Sequence, residues 1–161
     1  MSGEPPPVEP LDFPENIIDE LATSLDLLNG IEVVLKRPLR PTDPNGSAGV
    51  YAVDWSPEEY QIGQYDPAVT RYLLAIQTFV KHGDDEEGVG LHSRLAKRVR
   101  VMLYRDDELR VRLGTLSTLE SGVTERTQRW GVRTQRYLSN ELQGTFLYLA
   151  VTEMFLETEI V

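Results

Sequence analysis

The end of the chain constrains the fold most. From Thr145 to Ile160 the sequence TFLYLAVTEMFLETEI alternates as an extended strand does. Phe146, Tyr148, Ala150, Thr152, Met154 and Leu156 fall on one face; Leu147, Leu149 and Val151 fall on the other, until Glu153 interrupts them. A common strand has about 5–6 residues. This one spans about 50 Å at ~3.3 Å per residue. A small domain rarely covers such a strand alone, so its far end is expected to bend or to pair outside the subunit. Glu153, Glu157 and Glu159 share one face, which is expected to be wet or to meet a basic partner.

The rest of the chain supplies what a sheet of that length needs. Residues 15–28 predict a helix, with Ile17, Leu21, Leu25 and Leu28 on one stripe and Asn29-Gly30 as its stop. Residues 31–36 and 50–55 predict strands around a proline-rich loop at 37–48, with Tyr51, Val53 and Trp55 on one face. A further loop is expected over 56–69. Residues 70–81 predict a strand apolar on both faces and therefore covered on both. After an acidic, glycine-containing loop at 82–90 the period changes to 3.6. Leu91, Leu95, Val99, Met102 and Leu103 make a helical stripe, and Arg94, Lys97, Arg98 and Arg100 lie off it. Asp106, Asp107 and Glu108 suit the start of a short second helix through Leu116. Residues 117–125 predict a loop. Residues 126–138 predict a strand with Trp130, Val132 and Leu138 on one face and Arg129 and Arg133 on the other, and the chain is expected to turn at 140–144. The expected fold is α+β: a mainly antiparallel sheet of about five strands with two or three helices packed on it. Residues 15–161 form one domain, and residues 1–14, with five prolines, form an N-terminal arm.

Composition narrows the chemistry. The 161 residues include no cysteine, so there is no disulfide framework and no thiol nucleophile. The N-terminus has no secretory h-region, and no apolar run is long enough to span a membrane. The net charge of −10 is unevenly spread. Residues 1–93 hold 17 acidic and 5 basic side chains, residues 94–136 hold 5 and 11, and residues 137–161 hold 4 and none. Such segregation predicts surfaces of opposite sign that can meet across a subunit boundary.

No catalytic constellation emerges. His82 and His92 are the only histidines. Asp84, Asp85, Glu86 and Glu87 beside His82 sketch a divalent-cation cluster, but their spacing matches no defined site, and a solvated loop is the better reading. Gly88-Val89-Gly90 lacks the third glycine or the Lys-Ser/Thr ending of a phosphate loop. Serines have no histidine in a triad-like arrangement. Arg126, Arg129, Arg133 and Arg136 interleave with Trp130 and Tyr137, as in some single-strand nucleic-acid binders. Trp130, however, falls on the apolar face, and the chain as a whole is acidic. No catalytic residue, metal ligand or cofactor is therefore assigned. The candidate interface residues are Arg126, Arg129, Arg133, Arg136, Glu153, Glu157 and Glu159.

Taken in order, the opening amphipathic helix (Ile17–Leu28), the strand and proline-rich loop, the buried segment Arg71–Val80, the basic helix and the closing stretch Phe146–Glu159 resemble the tail terminator proteins of long-tailed phages. These are also called tail-completion or head–tail joining proteins. The resemblance covers roughly residues 15–161 and rests on patterning. It implies a ring, usually a hexamer, that caps the tail tube, ends its polymerisation and offers a docking face to the filled head. The implied partners are further copies of the chain, the tail tube protein and a head-completion or connector protein. Membrane and specific nucleic-acid partners are not implied, although genome DNA would pass through the ring. The implied location is the virion, after assembly in the host cytoplasm. The alternatives are another neck component, a metal-dependent nuclease using Asp84 and Asp85, and a small nucleic-acid-binding module.

Overall fold

The computed structural model describes residues 14–57, 68–120 and 123–160. In chain order its elements are α1 (Glu15–Asp26), β1 (Val33–Leu35), β2 (Ser47–Pro57), β3 (Ala68–His82), α2 (Asp85–Arg105), α3 (Asp107–Thr115), β4 (Ser117–Glu120), β5 (Val123–Leu142) and β6 (Thr145–Ile160). The class is α+β. Six strands lie in the order β1-β2-β3-β6-β5-β4, all antiparallel neighbours except the parallel pair β1 and β2. Residues 1–13 of the predicted arm at 1–14 and most of the loop predicted at 56–69 lie outside the described residues, as does the side chain of Trp55.

The helices cover one face of the sheet. Ile17, Leu21 and Leu25 of α1, Leu95, Val99 and Met102 of α2, and Leu109 and Leu113 of α3 form one core with Val50, Leu74, Ile76, Tyr148, Met154 and Leu156. The stripe of α1 lies as its spacing predicts. That of α2 is shifted: Leu91 is exposed, and His92 is buried in its place. The helix also starts earlier than its apolar period shows. Asp84 accepts a hydrogen bond from the Glu87 amide at 3.1 Å and caps α2, with Asp85, Glu86 and Glu87 in the first turn. Acidic side chains there satisfy orphan amides and complement the helix dipole, so the predicted acidic loop is a helix start. Asp106 caps α3 in the same way through the Leu109 amide.

The closing strand β6 has the predicted length and faces, but its edges are covered within the subunit. It pairs with β3 from Phe146 to Ile160 and with β5 from Thr145 to Ile160. The long strand is thus the centre of the sheet, and it neither bends away nor needs an outside partner for its backbone. The predicted loop at 117–125 contains β4 and the start of β5. β5 itself runs on to a tight turn at Gln143 and Gly144, both with positive φ (51° and 78°), as a two-residue hairpin turn of matching twist demands.

Two bulges decide which side chains of β5 share a face. The register with β6 skips between Thr127 and Arg129 and again between Val132 and Thr134. An extra residue reverses the alternation of everything beyond it. The first bulge turns Arg129 to the face already holding Arg126, and the second restores the parity for Arg136 and Leu138. Arg126, Arg129, Arg136 and Leu138 consequently face away from the helices, opposite Glu159, Glu157, Val151 and Leu149 of β6. Leu138, expected on the face of Trp130, lies on the opposite face, and so do Arg126 and Arg136, whose spacing from Trp130 by an even number of residues also puts them with it in an unbulged strand. A bulge between Ala52 and Asp54 does the same in β2, so that Tyr51 and Asp54, not Tyr51 and Val53, lie opposite Ala75 and Leu73.

Candidate interface on the open sheet face

The face turned away from the helices gathers the charged residues singled out in the sequence. Its centre is Glu157 of β6, flanked by β3 on one side and β5 on the other. Arg71 donates to Oε1 of Glu157 through Nη2 at 2.6 Å and Nε at 3.1 Å. Arg129 donates to both carboxylate oxygens, through Nε to Oε2 and through Nη2 to Oε1. Two guanidiniums on one carboxylate hold its pKa down to about 2, chiefly through the hydrogen bonds from Arg129 and then Arg71. The Arg129 guanidinium is held above its ordinary value by the same hydrogen bond. Both guanidiniums lie over the ring of Phe155, 5.2 Å from its centroid for Arg71 and 5.7 Å for Arg129. Across the strand pair, Gly131 leaves room for that ring: a Cβ there would sit 3.0 Å from it.

The ladder continues in both directions. Arg136 donates to Glu153 at 2.9 Å, and the Thr134 hydroxyl bonds the same carboxylate at 3.2 Å. Arg126 stands across from Glu159. Arg133, the extra residue of the second bulge, lines a groove with Asp54, Arg71, Leu73 and Phe155. All seven candidate residues therefore come together on one face. Within the subunit Arg129 pairs with Glu157 and Arg136 with Glu153. The glutamates are tucked in and the arginines stand out: the side chain of Glu157 is 12% exposed and that of Arg129 65%. The outermost groups on this part of the face are guanidiniums and their aliphatic stems.

The other end of this face is apolar. Leu39, Pro41, Phe79, Leu138, Leu147 and Leu149 line a shallow groove, with Arg40 and Lys81 at its rim. The loop over residues 36–44 forms one wall and is firmly braced. Asp43 accepts from Arg37 at 2.6 and 2.9 Å and from the Arg40 amide at 2.6 Å. These bonds, that from Arg37 foremost, hold the Asp43 carboxyl at a pKa of about 2. Lys81 donates to the carbonyls of Pro41 and Asp43, both at 2.6 Å. The prediction that β3 is covered on both faces is met here by the loop alone; farther along, Leu73 is only half-buried.

Among the described residues no group of three or more His, Cys, Asp or Glu side chains comes together as a metal site. His82 bonds the backbone of Asp84, and Asp84 is engaged as the helix cap. His92 is packed between the rings of Tyr137 and Tyr148, and burial pushes its pKa down. Trp130 is half-buried, packed against the core. Sequence reasoning missed two members of the ladder, Arg71 and Phe155. Alternation offered a signal for both, since Arg71 shares parity with Leu73, and Phe155 with Glu153 and Glu157. Compared with known proteins, the sequence matches no family model and no curated protein.

Proposed function

We propose that this chain is a structural subunit of a self-assembled ring, a hexamer if it follows the family pattern, and that the ring caps a phage tail tube as the resemblance to tail terminators implies. The observation that carries the reading is the open sheet face, where a preformed Arg–Glu ladder sits beside half-buried apolar side chains. Such a face is built for contact with another protein surface: its charges are already oriented, and its aromatic and leucine side chains are only partly covered. In this role the ring ends tube growth and presents a docking face to a head-completion or connector protein. It works in the virion and requires neither metal nor cofactor.

The clean test is Arg133→Glu, because Arg133 stands in the groove beside Phe155 without being part of the Glu157 pairing. The variant is expected to keep the circular dichroism and melting temperature of the parent. Tails made with it are expected to run long or to fail to join heads. Tails of normal length and joining on an intact fold would overturn the reading. Binding of the purified ring to a portal-side ring and not to the tube end would make the chain a head-closure component.

A further inference from the structure

We propose that copies of this chain join head to tail through their sheets, the outer edge of β5 in one copy pairing antiparallel with the outer edge of β2 in the next. The inference rests on the reading of the chain as a self-assembling subunit and specifies the surfaces that join. Among the described residues, β4 covers β5 only from Val123 to Arg126, and β1 covers β2 only from Ser47 to Gly49. That leaves two long strand edges without a strand partner, at opposite ends of the same sheet.

The edge of β5 beyond its second bulge is regular from Thr134 to Leu142. It contains no proline and no lysine, two of the devices that keep natural edges from pairing. Its amide directions follow from the turn. In a two-residue hairpin Leu142 and Thr145 exchange backbone hydrogen bonds, and bonding then alternates along the strand. Asn140, Leu138 and Arg136 thus bond to β6, while Glu141, Ser139, Tyr137 and Gln135 direct their backbone outward. The Glu141 amide bears this out: it bonds the side chain of Asn140, at 2.9 Å. Tyr137, Leu138 and Leu142 along this edge are 54%, 57% and 47% exposed.

Direction selects the partner. Three antiparallel steps separate β2 from β5, so the two run in opposite senses. A second copy set alongside with its helices on the same side offers β2 antiparallel to β5 and continues the sheet. Each copy carries one edge of each kind, so the contact is heterologous and repeats until the rotation closes a ring. The described residues of β5 carry Arg126, Arg129, Arg133 and Arg136 together with Glu125 and Glu141, and Asp54 is the charged residue of β2. Pairing β5 with a second β5 about a two-fold axis would use one edge of each copy and leave both β2 edges open, giving no head-to-tail ring.

The absence of cysteine from the chain makes the test direct. The full-length double variant Val53→Cys/Ser139→Cys, concentrated and treated with a short bis-maleimide, is expected to give a ladder extending beyond the dimer on a denaturing gel, while each single variant stays monomeric. A dimer from Ser139→Cys alone would mean two-fold pairing and overturn the proposal. No cross-linking of the double variant while the parent forms rings in electron micrographs would also overturn it, and would leave the ring reading standing. A parent that stays monomeric at the same concentration would overturn both. As a second arm, Ser139→Pro removes one outward amide without touching the β6 ladder. It is expected to keep the parent's melting temperature and to raise the concentration needed for assembly at least tenfold; assembly at the parent's concentration would overturn the proposal.

Discussion

Glu157 is the residue on which the open face turns. Its carboxylate joins β3, β6 and β5 by accepting from Arg71 and Arg129. Its folded pKa of about 2 lies below the ordinary 4.5, so the folded state binds fewer protons than the unfolded state over that interval. The stability it contributes is complete above pH ~4.5 and is lost as the pH falls from there toward 2. Asp43, lowered from 3.8 to about 2, adds to the loss over the lower part of the same window. The prediction is that the parent's melting temperature falls through this interval. Glu157→Gln should melt lower at pH 7 and show a flatter fall between pH 4.5 and 2, with the remaining slope reduced further by adding Asp43→Asn. Thermal melts at half-unit steps check this; parallel curves for parent and Glu157→Gln would show that the two arginines do not hold the carboxylate in solution.

At the scale of elements, α2 rides on β6 through a contact too close for a side chain. A Cβ at Gly88 would lie 2.6 Å from the ring of Tyr148 and 3.2 Å from Cβ of His82. The Tyr148 hydroxyl also donates to the Asp85 carbonyl at 3.2 Å, so the ring is not free to swing away. Gly88→Ala is expected to cost about 1–3 kcal/mol through overpacking, or a melting temperature lower by several degrees in a chain of this size. Gly83→Ala, with nothing within 4 Å, is the control and should be near neutral. This contact also marks where sequence reading succeeds and stops. The stripe of α1 and the alternation of β6 were legible because burial on one face writes itself into the period. The start of α2 was not, because its first turn is acidic and glycine-bearing and is held by a cap. The faces of β5 were misread because each bulge reverses parity without leaving a mark in composition. The seven charged residues were therefore singled out, while the bulges that bring them onto one face were not.

For the whole molecule, the positive segment at 94–136 proves to be two surfaces. Arg94, Lys97, Arg98, Arg100 and Arg105 are exposed on α2, in the helical layer, while Arg126, Arg129, Arg133 and Arg136 stand on the far face of the sheet. On that far face Glu153 and Glu157 already neutralise part of the charge. The proposed assembly through sheet edges would draw mainly on backbone hydrogen bonds and on covering Tyr137, Leu138 and Leu142, neither of which salt screens. Only the attraction of the outstanding guanidiniums for a neighbour is screened, over a Debye length of about 10 Å at 0.1 M. Raising sodium chloride from 0.05 to 0.5 M is therefore expected to weaken self-association by about tenfold or less, or about 1.4 kcal/mol. An assembly held by the arginines alone would dissociate. A protein gripping nucleic acid through six to ten phosphates would lose about 10³–10⁵ in affinity between 50 and 200 mM. Sedimentation velocity across that salt range separates the cases: a modest shift supports edge pairing with charge as an adjunct, and collapse to monomer by 0.5 M would make the charged ladder, not the strand edges, the bond between copies.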